Sequence, residues 1–451
     1  MTAEILTAAE TRLQKLRSAL QSGGLHQVGG LINALHPAEI GNLLESLPPA
    51  EREVVWELVD RDIEGDVLVE LNDEVRGKLI EDMDAEELLA AIDGMEVDDL
   101  ADLIADLPET ITLQILRSMG EQDRERLSTV MAHPEDSAGG LMNTDTVTVR
   151  PDVTLDVVLR HTRQRKEIPQ GTDLFFVVDR NDRYLGSLDI SCLITNDPQT
   201  MVSELIDKDL QGILPETPAS DVASLFEDRD LHSAPVVDEN GRLLGRITVD
   251  DVVDVIREEA EHSLMSMAGL DEDDDMFAGV FTSSRRRAVW LGVNLATAFL
   301  AAWVVGLFQA TLAEVVALAV LMPIVASMGG IAGSQTLILM IRGMALGQVG
   351  RSNARWLMFK ETAVGLLNGL GWATVVAVAV VLWFKDWRIG AVIAAAMVIN
   401  LLIAAASGVI VPLVLKRMDV DPALAGGVVL TTITDVVGFM SFLGLGTLFL
   451  T

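Results

Sequence analysis

Apolar and polar residues follow three different patterns along the 451-residue chain. Residues 1–133 carry short apolar stretches at helical spacing, separated by Leu-Pro and His-Pro turns, which predicts a series of short amphipathic helices. Residues 134–260 alternate short strand-like apolar runs with amphipathic helices. From residue 285 onward the apolar residues are nearly continuous, which predicts helices that span a membrane.

Two segments of the first region share one pattern. LHPAEIGNLLESLPPAEREVVWELV begins at Leu35 and MEVDDLADLIADLPETITLQILRSM begins at Met95, and the two segments align Pro48 with Pro108. Repeated helical hairpins of this kind predict a small stack of helices over residues 1–133. The helix faces are rich in Asp and Glu, and the six histidines of the chain are scattered. We therefore predict an acidic helical domain and a protein that is not an enzyme.

The second region contains an internal repeat with a spacing of 59 residues. VVDRNDRYLG from Val177 and VVDENGRLLG from Val236 are identical at seven of ten positions. Each copy predicts a strand, a tight polar turn, a second strand and a helix. This pattern resembles a tandem pair of α/β CBS domains, with copies at about 137–199 and 200–260.

The resemblance to CBS pairs implies a nucleotide contact. In such pairs a Gly-x-x-Thr-x-x-Asp phrase after the second strand often contacts a ribose, and Gly245, Thr248 and Asp251 match it. The first copy has Asp189 and Cys192 at the Thr and Asp positions. We therefore expect any ATP or other adenine nucleotide to bind at the second copy.

Five apolar stretches in the third region are long enough for helices that cross about 30 Å of hydrocarbon. The predicted spans, numbered one to five, are 288–307, 313–341, 363–384, 389–415 and 423–450. They form a predicted all-α transmembrane domain over 285–451. Residues 261–284 are predicted to form an acidic helix that connects the CBS pair to span one.

The basic residues around the spans predict their orientation, since Lys and Arg are retained on the cytoplasmic side of a membrane. The chain start also lacks the apolar core of a signal peptide. We expect a multi-pass protein of the plasma (inner) membrane, in contact with membrane lipid, with a cytoplasmic N-terminus and an extracytoplasmic C-terminus. The nine residues of the cytoplasmic side are Arg285, Arg286, Arg287, Arg342, Arg351, Arg355, Lys360, Lys416 and Arg417, against Lys385 and Arg388 on the other side.

Charge separates the membrane part from the rest of the chain. Residues 1–281 contain 61 of the 67 carboxylates and carry a net charge of −39, whereas 282–451 carry +5. An acidic surface excludes nucleic acid as a partner and favours a cation, because phosphate is met by basic surface. The single Cys192 cannot form an intrachain disulfide, which suits a reducing compartment. We interpret the run DEDDD at 271–275 as a solvated surface.

Carboxylates within the predicted helix after the second CBS copy have the spacing of a divalent-cation sensor. Asp251, Asp254 and Glu258 lie three and four residues apart, so helical geometry places them on adjoining faces. Their mutual repulsion destabilises the helix, and a bound Mg²⁺ would reverse that effect.

Asp435 lies in the middle of predicted span five. An ionisable side chain at this depth costs about 2.5 to 3.5 kcal/mol on insertion scales, and such residues mark ion paths. Helical spacing places Gly427 and Thr431 on the same face, where small side chains leave backbone oxygens accessible. We predict a cation path here; the alternative is a protonated or hydrogen-bonded structural acid.

Span two contains the run PIVASMGGIAGSQ, which begins at Pro323. One proline and three glycines in a membrane helix fit non-helical backbone that lines water, but they equally fit close helix packing through small residues. The sequence leaves these two interpretations open for Gly329, Gly330 and Gly333.

The order of all these parts resembles the MgtE family of magnesium channels over essentially the full chain. The resemblance rests on SAGGLM before the CBS pair, RRR before span one, the glycine-rich run of span two, and DPAL followed by TTITDVVG in span five. It implies a homodimer with the ion path between subunits and Asp435 as the pore Mg²⁺ ligand. It also implies cytosolic Mg²⁺ sensing by Asp98, Asp102, Asp230, Asp251, Asp254 and Glu259.

Two departures from the family pattern matter. Many members have GGNxGxQ in span two, whereas this chain has Ile331 at the Asn position. His262 and Ser263 stand where some members have acids. We expect an altered local pore geometry from the first departure and fewer or weaker sensor sites from the second.

The combined pattern predicts Mg²⁺ uptake down the electrochemical gradient, gated by cytosolic Mg²⁺. A dication gains about 2.3 kcal/mol per elementary charge for each 100 mV of potential, so no ATP hydrolysis is needed. One alternative is a Mg²⁺ or Co²⁺ exporter or an ion-coupled carrier, in which Asp435 would shuttle a proton or Na⁺. Another is a membrane-anchored CBS nucleotide sensor. The sequence does not fix the selectivity among Mg²⁺, Mn²⁺, Co²⁺ and Ni²⁺.

Overall fold

The computed structural model describes residues 25–92, 95–105, 107, 109–165, 168–169, 171–270, 275–350, 353–418 and 420–451. The chain divides into two compact units. The amino-terminal unit consists of Met1–Glu259 with Asp273–Ala278, and the membrane unit consists of Ala260–Glu272 with Gly279–Thr451.

The amino-terminal unit begins with a series of short helices. They include two hairpins separated by 60 residues, which confirms the predicted helical repeat; Pro108 lies outside the described residues. The helices are α1 (Leu25–Ile32), α2 (Pro37–Glu45), α3 (Pro49–Trp56), α4 (Glu64–Val69), α5 (Asp73–Asp82), α6 (Ala85–Ala91), α7 (Val97–Ala105), α8 (Glu109–Ser118) and α9 (Glu121–Val130), with a 3₁₀ turn at Arg61–Ile63.

The CBS pair follows with the predicted order of strands and helices. The first copy has β1 (Thr148–Val149), α10 (Leu155–Gln164), β2 (Leu174–Val178), β3 (Tyr184–Asp189) and α11 (Ile190–Thr195). After α12 (Val202–Leu205), the second copy has α13 (Ala219–Arg229), β4 (Ser233–Val237), β5 (Leu243–Thr248) and α14 (Val249–Ser266).

The two CBS hairpins have the same register. Val177 pairs with Gly186 in the antiparallel pair β2–β3, and Val236 pairs with Gly245 in β4–β5. The turn of the first hairpin places Asp182 at φ 59°, and the second places Gly241 at φ 77°. These two residues occupy equivalent positions, and their left-handed backbone conformation allows a tight turn in each hairpin. The sequence repeat is thus a structural repeat.

One apolar core connects the helical domain to the second CBS copy. Leu103 and Ile104 of α7 and Val252 of α14 are buried in the same cluster, together with Val236 of β4. The predicted amphipathic faces therefore pack against each other, and this packing brings the polar edges of α7 and α14 together.

The membrane unit contains the predicted spans. Its helices are span one (α15, Val280–Gly306), α16 (Gln309–Glu314), span two (α17, Val316–Ala345), span three (α18, Ala354–Phe384), span four (α19, Trp387–Arg417) and span five (α20, Pro422–Leu450). Among the described residues, these five long helices have the length and apolarity needed to cross a membrane.

The helices of spans one, two and three begin at other residues than the predicted spans, and the helix of span one begins eight residues before residue 288. The helix of span three begins nine residues before residue 363, so it includes Lys360 and Glu361. Span two begins at Val316, because Glu314 belongs to the separate short helix α16. Span two is also an uninterrupted helix around Pro323, so its glycines do not mark a break in helical backbone.

The connection from the CBS pair to span one differs from the predicted single helix over 261–284. Helix α14 begins at Val249, directly after β5, and ends at Ser266. Asp273–Ala278 belongs to the amino-terminal unit, and the helix of span one begins at Val280. Residues 271–274 lie outside the described residues.

The interpretation of the DEDDD run as solvated surface was wrong for Asp275. Its side chain is 1% exposed and forms a bidentate pair with Arg52, with Nη1 to Oδ2 at 3.0 Å and Nη2 to Oδ1 at 3.1 Å. Arg52 also donates to the carbonyls of Leu44 and Leu47. The other four acids of the run lie outside the described residues.

Candidate ion path and carboxylate cluster

Spans two and five line a cavity of about 500 Å³ in the membrane unit. Most of its wall comes from one face of span two, at the spacing of successive helical turns. Asp435 is the charged side chain of this wall and is half-buried. The lining residues are Ala326, Ser327, Gly330, Ile331, Ser334, Gln335, Ile338, Thr431 and Asp435.

The predicted face of span five is only partly present in the cavity. Thr431 and Asp435 line it, but Gly427 does not. The carbonyl of Gly427 instead accepts a hydrogen bond from Oγ1 of Thr431 at 2.8 Å. Thr434, next to Asp435, is fully buried and donates to the carbonyl of Thr431. The hydroxyls of this turn are therefore used within the helix.

The three glycines of span two have different environments. Gly330 lines the cavity, whereas Gly329 and Gly333 face the interior of the helix bundle. Gly329 packs against Asn400 of span four, and Gly333 packs against Leu430 of span five. Close helix packing therefore accounts for two glycines and an open cavity wall for the third.

Ile331 places an apolar side chain on the cavity wall. It is 58% exposed within the chain, at the position where many family members have Asn. The span-two residues that line the cavity thus include Ser327, Ser334 and Gln335 as polar residues, but none at position 331.

Glu361 is a buried acid that the sequence reasoning missed. Its side chain accepts a hydrogen bond from Thr336 of span two at 3.2 Å and contacts Lys360 Nζ at 2.8 Å. The predicted span stopped two residues short of it because the apolar run ends at this charged pair. A helical extension of that run by two turns would have included it.

In the amino-terminal unit, α7 and α14 bring several carboxylates together. Asp98 is 6% exposed. Burial raises its pKa, and the negative charges of Asp251 and Asp99 raise it further. Burial is also the main cause that raises the pKa of Asp251, although hydrogen bonds from Thr248 partly oppose it. These carboxylates repel one another in a poorly solvated place.

The neighbouring carboxylates show the same effect. Burial raises the pKa of Asp102 to about 8, with a further contribution from Glu135. Burial raises the pKa of Asp99 to about 6, together with Glu96 and Asp250. Hence at neutral pH the cluster holds protons that isolated carboxyl groups would have released.

Four of the six residues predicted as sensors lie in one cluster of carboxylates. Asp98, Asp102 and Asp251 belong to it, and Asp254 lies close enough to raise the pKa of Asp99. The other two positions are exposed. Asp230 is exposed at the end of α13, and Glu259 is exposed on α14.

Sequence reasoning missed Asp99 and Asp250 in this cluster. A signal was present, because both α7 and α14 begin with Val-Asp-Asp, at Val97 and at Val249. Two helix starts of identical sequence that pack on a shared core bring four carboxylates together. Comparison of the two starts would have identified both residues.

The donor set of the cluster suits a hydrated dication. Within the described residues, no group of three or more His, Cys, Asp or Glu side chains is arranged to enclose a metal ion. Mg²⁺ prefers oxygen ligands, retains several waters and often uses only one or two carboxylates. The cluster therefore offers ligands of the type that Mg²⁺ prefers, but in this arrangement no more than two of its carboxylates could contact one ion.

Thr248 and Asp251 are engaged with each other. Oγ1 of Thr248 donates to Asp251 Oδ2 at 2.8 Å, and the Thr248 backbone N–H donates to the same oxygen at 3.2 Å. This arrangement is the return half of a capping box at the start of α14. Thr248 is also buried, at 7% exposure. In this conformation neither group is presented to a ribose.

Family models match the three parts of the chain in order. The model of the MgtE intracellular N domain matches residues 35–136, and the CBS domain model matches 138–196 and 202–258. The MgtE model, described as a divalent cation transporter, matches residues 322–445.

Similar proteins extend over nearly the whole chain. The magnesium transporter MgtE of Thermus thermophilus is 30% identical over 440 residues, which cover 96% of this chain and 98% of that protein. The magnesium transporter MgtE of Bacillus subtilis is 27% identical over 431 residues, with 96% of each chain covered. The solved cytosolic domain of the Mg²⁺ channel MgtE in complex with ATP is 30% identical, has a TM-score of 0.50 and covers 54% of this chain and 99% of that one.

Proposed function

The chain belongs to the MgtE family of magnesium transporters, and we propose that it carries Mg²⁺ into the cell through the cavity between spans two and five. The observation that carries this proposal is the position of Asp435, the charged side chain on the wall of that cavity. A carboxylate there compensates part of the charge of a dication inside the membrane. Hydroxyl and amide groups of Ser334 and Gln335 suit the waters that Mg²⁺ retains.

A second copy of the chain completes the path. All residues that line the cavity belong to two helices, and two helices cannot enclose a water-filled passage. A symmetric dimer would place two such walls face to face and two Asp435 carboxylates across one path. The charge of two carboxylates would match that of one Mg²⁺. This reasoning supports the homodimer implied by the family resemblance.

The proposed direction of transport is inward. The basic residues next to the spans orient the amino-terminal unit toward the cytoplasm and the C-terminus outward. A membrane potential that is negative inside then drives a dication inward with about 4.6 kcal/mol per 100 mV, twice the value for one elementary charge.

The carboxylate cluster is the proposed cytosolic sensor. At low Mg²⁺, repulsion and burial act against the contact between α7 and α14, as the raised pKa values of Asp99 and Asp102 indicate. Bound Mg²⁺ would relieve both costs and hold the two helices together. We propose that this closed arrangement reduces transport. Asp230 and Glu259 would contribute less, because both are exposed.

An adenine nucleotide is a further proposed ligand of the CBS pair. The related cytosolic domain was solved in complex with ATP. In this chain the hydroxyl of Thr248 would have to leave Asp251 before it could contact a ribose. We therefore expect bound ATP to change the conformation at the start of α14. Equilibrium binding of a fluorescent ATP analogue to the wild-type chain and to Thr248→Ala would test whether Thr248 contributes to nucleotide binding.

Flux into dye-loaded proteoliposomes under an imposed potential tests the proposed ion path. We expect Mg²⁺ flux that follows the potential and that is lost in Asp435→Asn. The matched control is Glu314→Gln, which removes an exposed carboxylate of the same unit outside the cavity and should leave flux unchanged. Equal flux in wild type and Asp435→Asn would remove Asp435 from the path. Flux that requires an opposing ion gradient would indicate an exporter or a coupled carrier.

A further inference from the structure

Asn400 of span four is a polar side chain buried in the middle of the helix bundle. It is 1% exposed and lies inside a helix of 31 residues. Its Nδ2 donates to the backbone carbonyl of Val325 in span two at 2.9 Å. Its Oδ1 has no hydrogen-bond partner among the described residues. A buried amide that is only half satisfied is unfavourable, so its presence requires an explanation.

The amide occupies a space that two glycines leave open. A Cβ atom on Gly329 of span two would lie 2.2 Å from Nδ2 of Asn400. A Cβ atom on Gly438 of span five would lie 2.8 Å from the same nitrogen. Both distances are far below van der Waals contact, so neither position accepts alanine while Asn400 holds this conformation.

The same two glycines are next to the cavity wall. Gly329 directly precedes Gly330, which lines the cavity, and Gly438 follows Asp435 by one helical turn. Asn400 therefore touches both cavity-lining helices at residues beside the cavity wall. Because close-packed interiors are nearly incompressible, the thickness of this amide limits how closely spans two and five approach each other at this point.

We propose that Asn400 is a positioning residue for the ion path: its amide, inserted between Gly329 and Gly438, sets the distance from the span-two wall to Asp435 and thereby the size of the hydrated cation that passes. The proposal rests on the proposed function of the cavity. The hydrogen bond to Val325 fixes the depth of the amide along span two. The relevant ligand class is a hydrated divalent cation, and selectivity is the affected property.

Proteoliposome flux of Mg²⁺ and Co²⁺, measured separately at matched potential, tests the proposal. We expect Gly329→Ala to reduce Mg²⁺ flux by roughly tenfold or more, because its methyl group overlaps the amide. We expect Asn400→Ala to retain flux but to lower the Mg²⁺-to-Co²⁺ ratio several-fold. The double variant Gly329→Ala/Asn400→Ala should recover flux, because the new methyl group fits the vacated space.

Two variants make the interpretation specific. Gly371→Ala is the matched control, since a Cβ there meets no atom within 4 Å and the residue lies in span three away from the cavity. Asn400→Thr keeps a hydrogen-bond donor and a similar volume, so it should restore most of the selectivity lost in Asn400→Ala. If Asn400→Ala is not recovered folded, Asn400→Ser serves as the truncation, and elution and thermal unfolding establish folding.

The possible results separate this proposal from the proposed function. An unchanged Mg²⁺-to-Co²⁺ ratio in folded Asn400→Ala or Asn400→Ser would overturn it, as would a double variant with no more flux than Gly329→Ala. In either case loss of flux in Asp435→Asn would still support the ion path. Retention of flux in Asp435→Asn would instead overturn the ion path itself.

Discussion

The membrane cavity and the carboxylate cluster differ in how many carboxylates they bring together. The cavity wall carries a single carboxylate, that of Asp435. The contact between α7 and α14 crowds at least four carboxylates, those of Asp98, Asp99, Asp102 and Asp251, each with a raised pKa. Both are proposed Mg²⁺ sites, and the different number of carboxylates implies that they would hold the ion with different strength.

This difference matches the two tasks proposed for the sites. Conduction requires that an ion bind well enough to enter and weakly enough to leave. One carboxylate per subunit, with hydroxyl and amide groups nearby, meets that requirement. A sensor has to retain its ion at a set concentration, and the relief of repulsion among many carboxylates adds to the free energy of binding. The number of carboxylates therefore distinguishes passage from sensing.

The largest expected effect comes from removing the carboxylate of the membrane cavity while the carboxylate cluster is left intact. Asp435→Asn should abolish Mg²⁺ flux, while Mg²⁺ should still protect α7 and α14 from hydrogen exchange as in the wild type. Flux assays and hydrogen exchange on the same purified protein check this. Loss of the exchange protection in Asp435→Asn would mean that the two sites are not independent.

A buried carboxylate with a permanent partner provides the next test. Asp275 is paired with Arg52, and removing one partner of such a buried pair typically costs about 3 to 5 kcal/mol. We expect Arg52→Met to release residues 275–278, measured as faster hydrogen exchange at Phe277 and Ala278. The effect should be the same with and without Mg²⁺, because arginine already balances the charge. The control is Arg61→Met, whose pair with Glu87 is exposed.

Substitutions in the carboxylate cluster, unlike those in the Arg52–Asp275 pair, should have effects that depend on Mg²⁺. Asp98→Asn/Asp251→Asn removes two of the charges that repel one another and should raise the cytosolic Mg²⁺ concentration that half-inhibits flux by roughly tenfold, the equivalent of about 1.4 kcal/mol of lost binding. Flux at low Mg²⁺ should remain. Asp230→Asn is the control, since that carboxylate is exposed and asparagine tolerates its left-handed backbone, at φ 52°. Unchanged inhibition in the double variant would exclude the cluster as the sensor.

The sequence predicted elements whose signal is local. The helical hairpins that begin at α2 and α7, and the CBS turns at Asp182 and Gly241, all depend on spacing within a short window. The five spans likewise follow from uninterrupted apolar length. Asp435 could be found because a single acid stands out in an apolar run.

What the sequence could not predict depends on distant partners. Asp275 looks like any member of a solvated acidic run until Arg52, 223 residues away, is known to meet it. Asn400 carries no local signal, because its role depends on glycines in two other helices. The face of Gly427 was predicted from helical spacing alone, but spacing within span five does not show how far along that face span two forms the cavity.

The smallest expected effect is the change in the free energy of unfolding with pH. The direction of this change distinguishes the buried carboxylates of the cluster from exposed carboxylates with lowered pKa values. The raised pKa values mean that the folded chain binds protons more tightly than the unfolded chain, whose carboxyl groups titrate near 3.8. The free energy of unfolding should therefore fall as the pH rises through about 6 for Asp99 and about 8 for Asp102. Without Mg²⁺, hydrogen exchange of α7 corrected for its intrinsic pH dependence should accelerate over this range.

Saturating Mg²⁺ should flatten this pH profile, because the ion replaces the protons that the cluster would otherwise bind. Asp98→Asn/Asp251→Asn should flatten it without Mg²⁺, since fewer carboxylates then compete for protons. Asp179 and Asp238 act as internal references in the CBS turns, because backbone N–H groups donate to these exposed carboxylates and lower their pKa values. Exchange at those turns should show the opposite trend, with protection lost at low pH. If hydrogen exchange at α7 and at the CBS turns changed in the same direction with pH, burial of the cluster carboxylates would not be the cause of the pH dependence at α7.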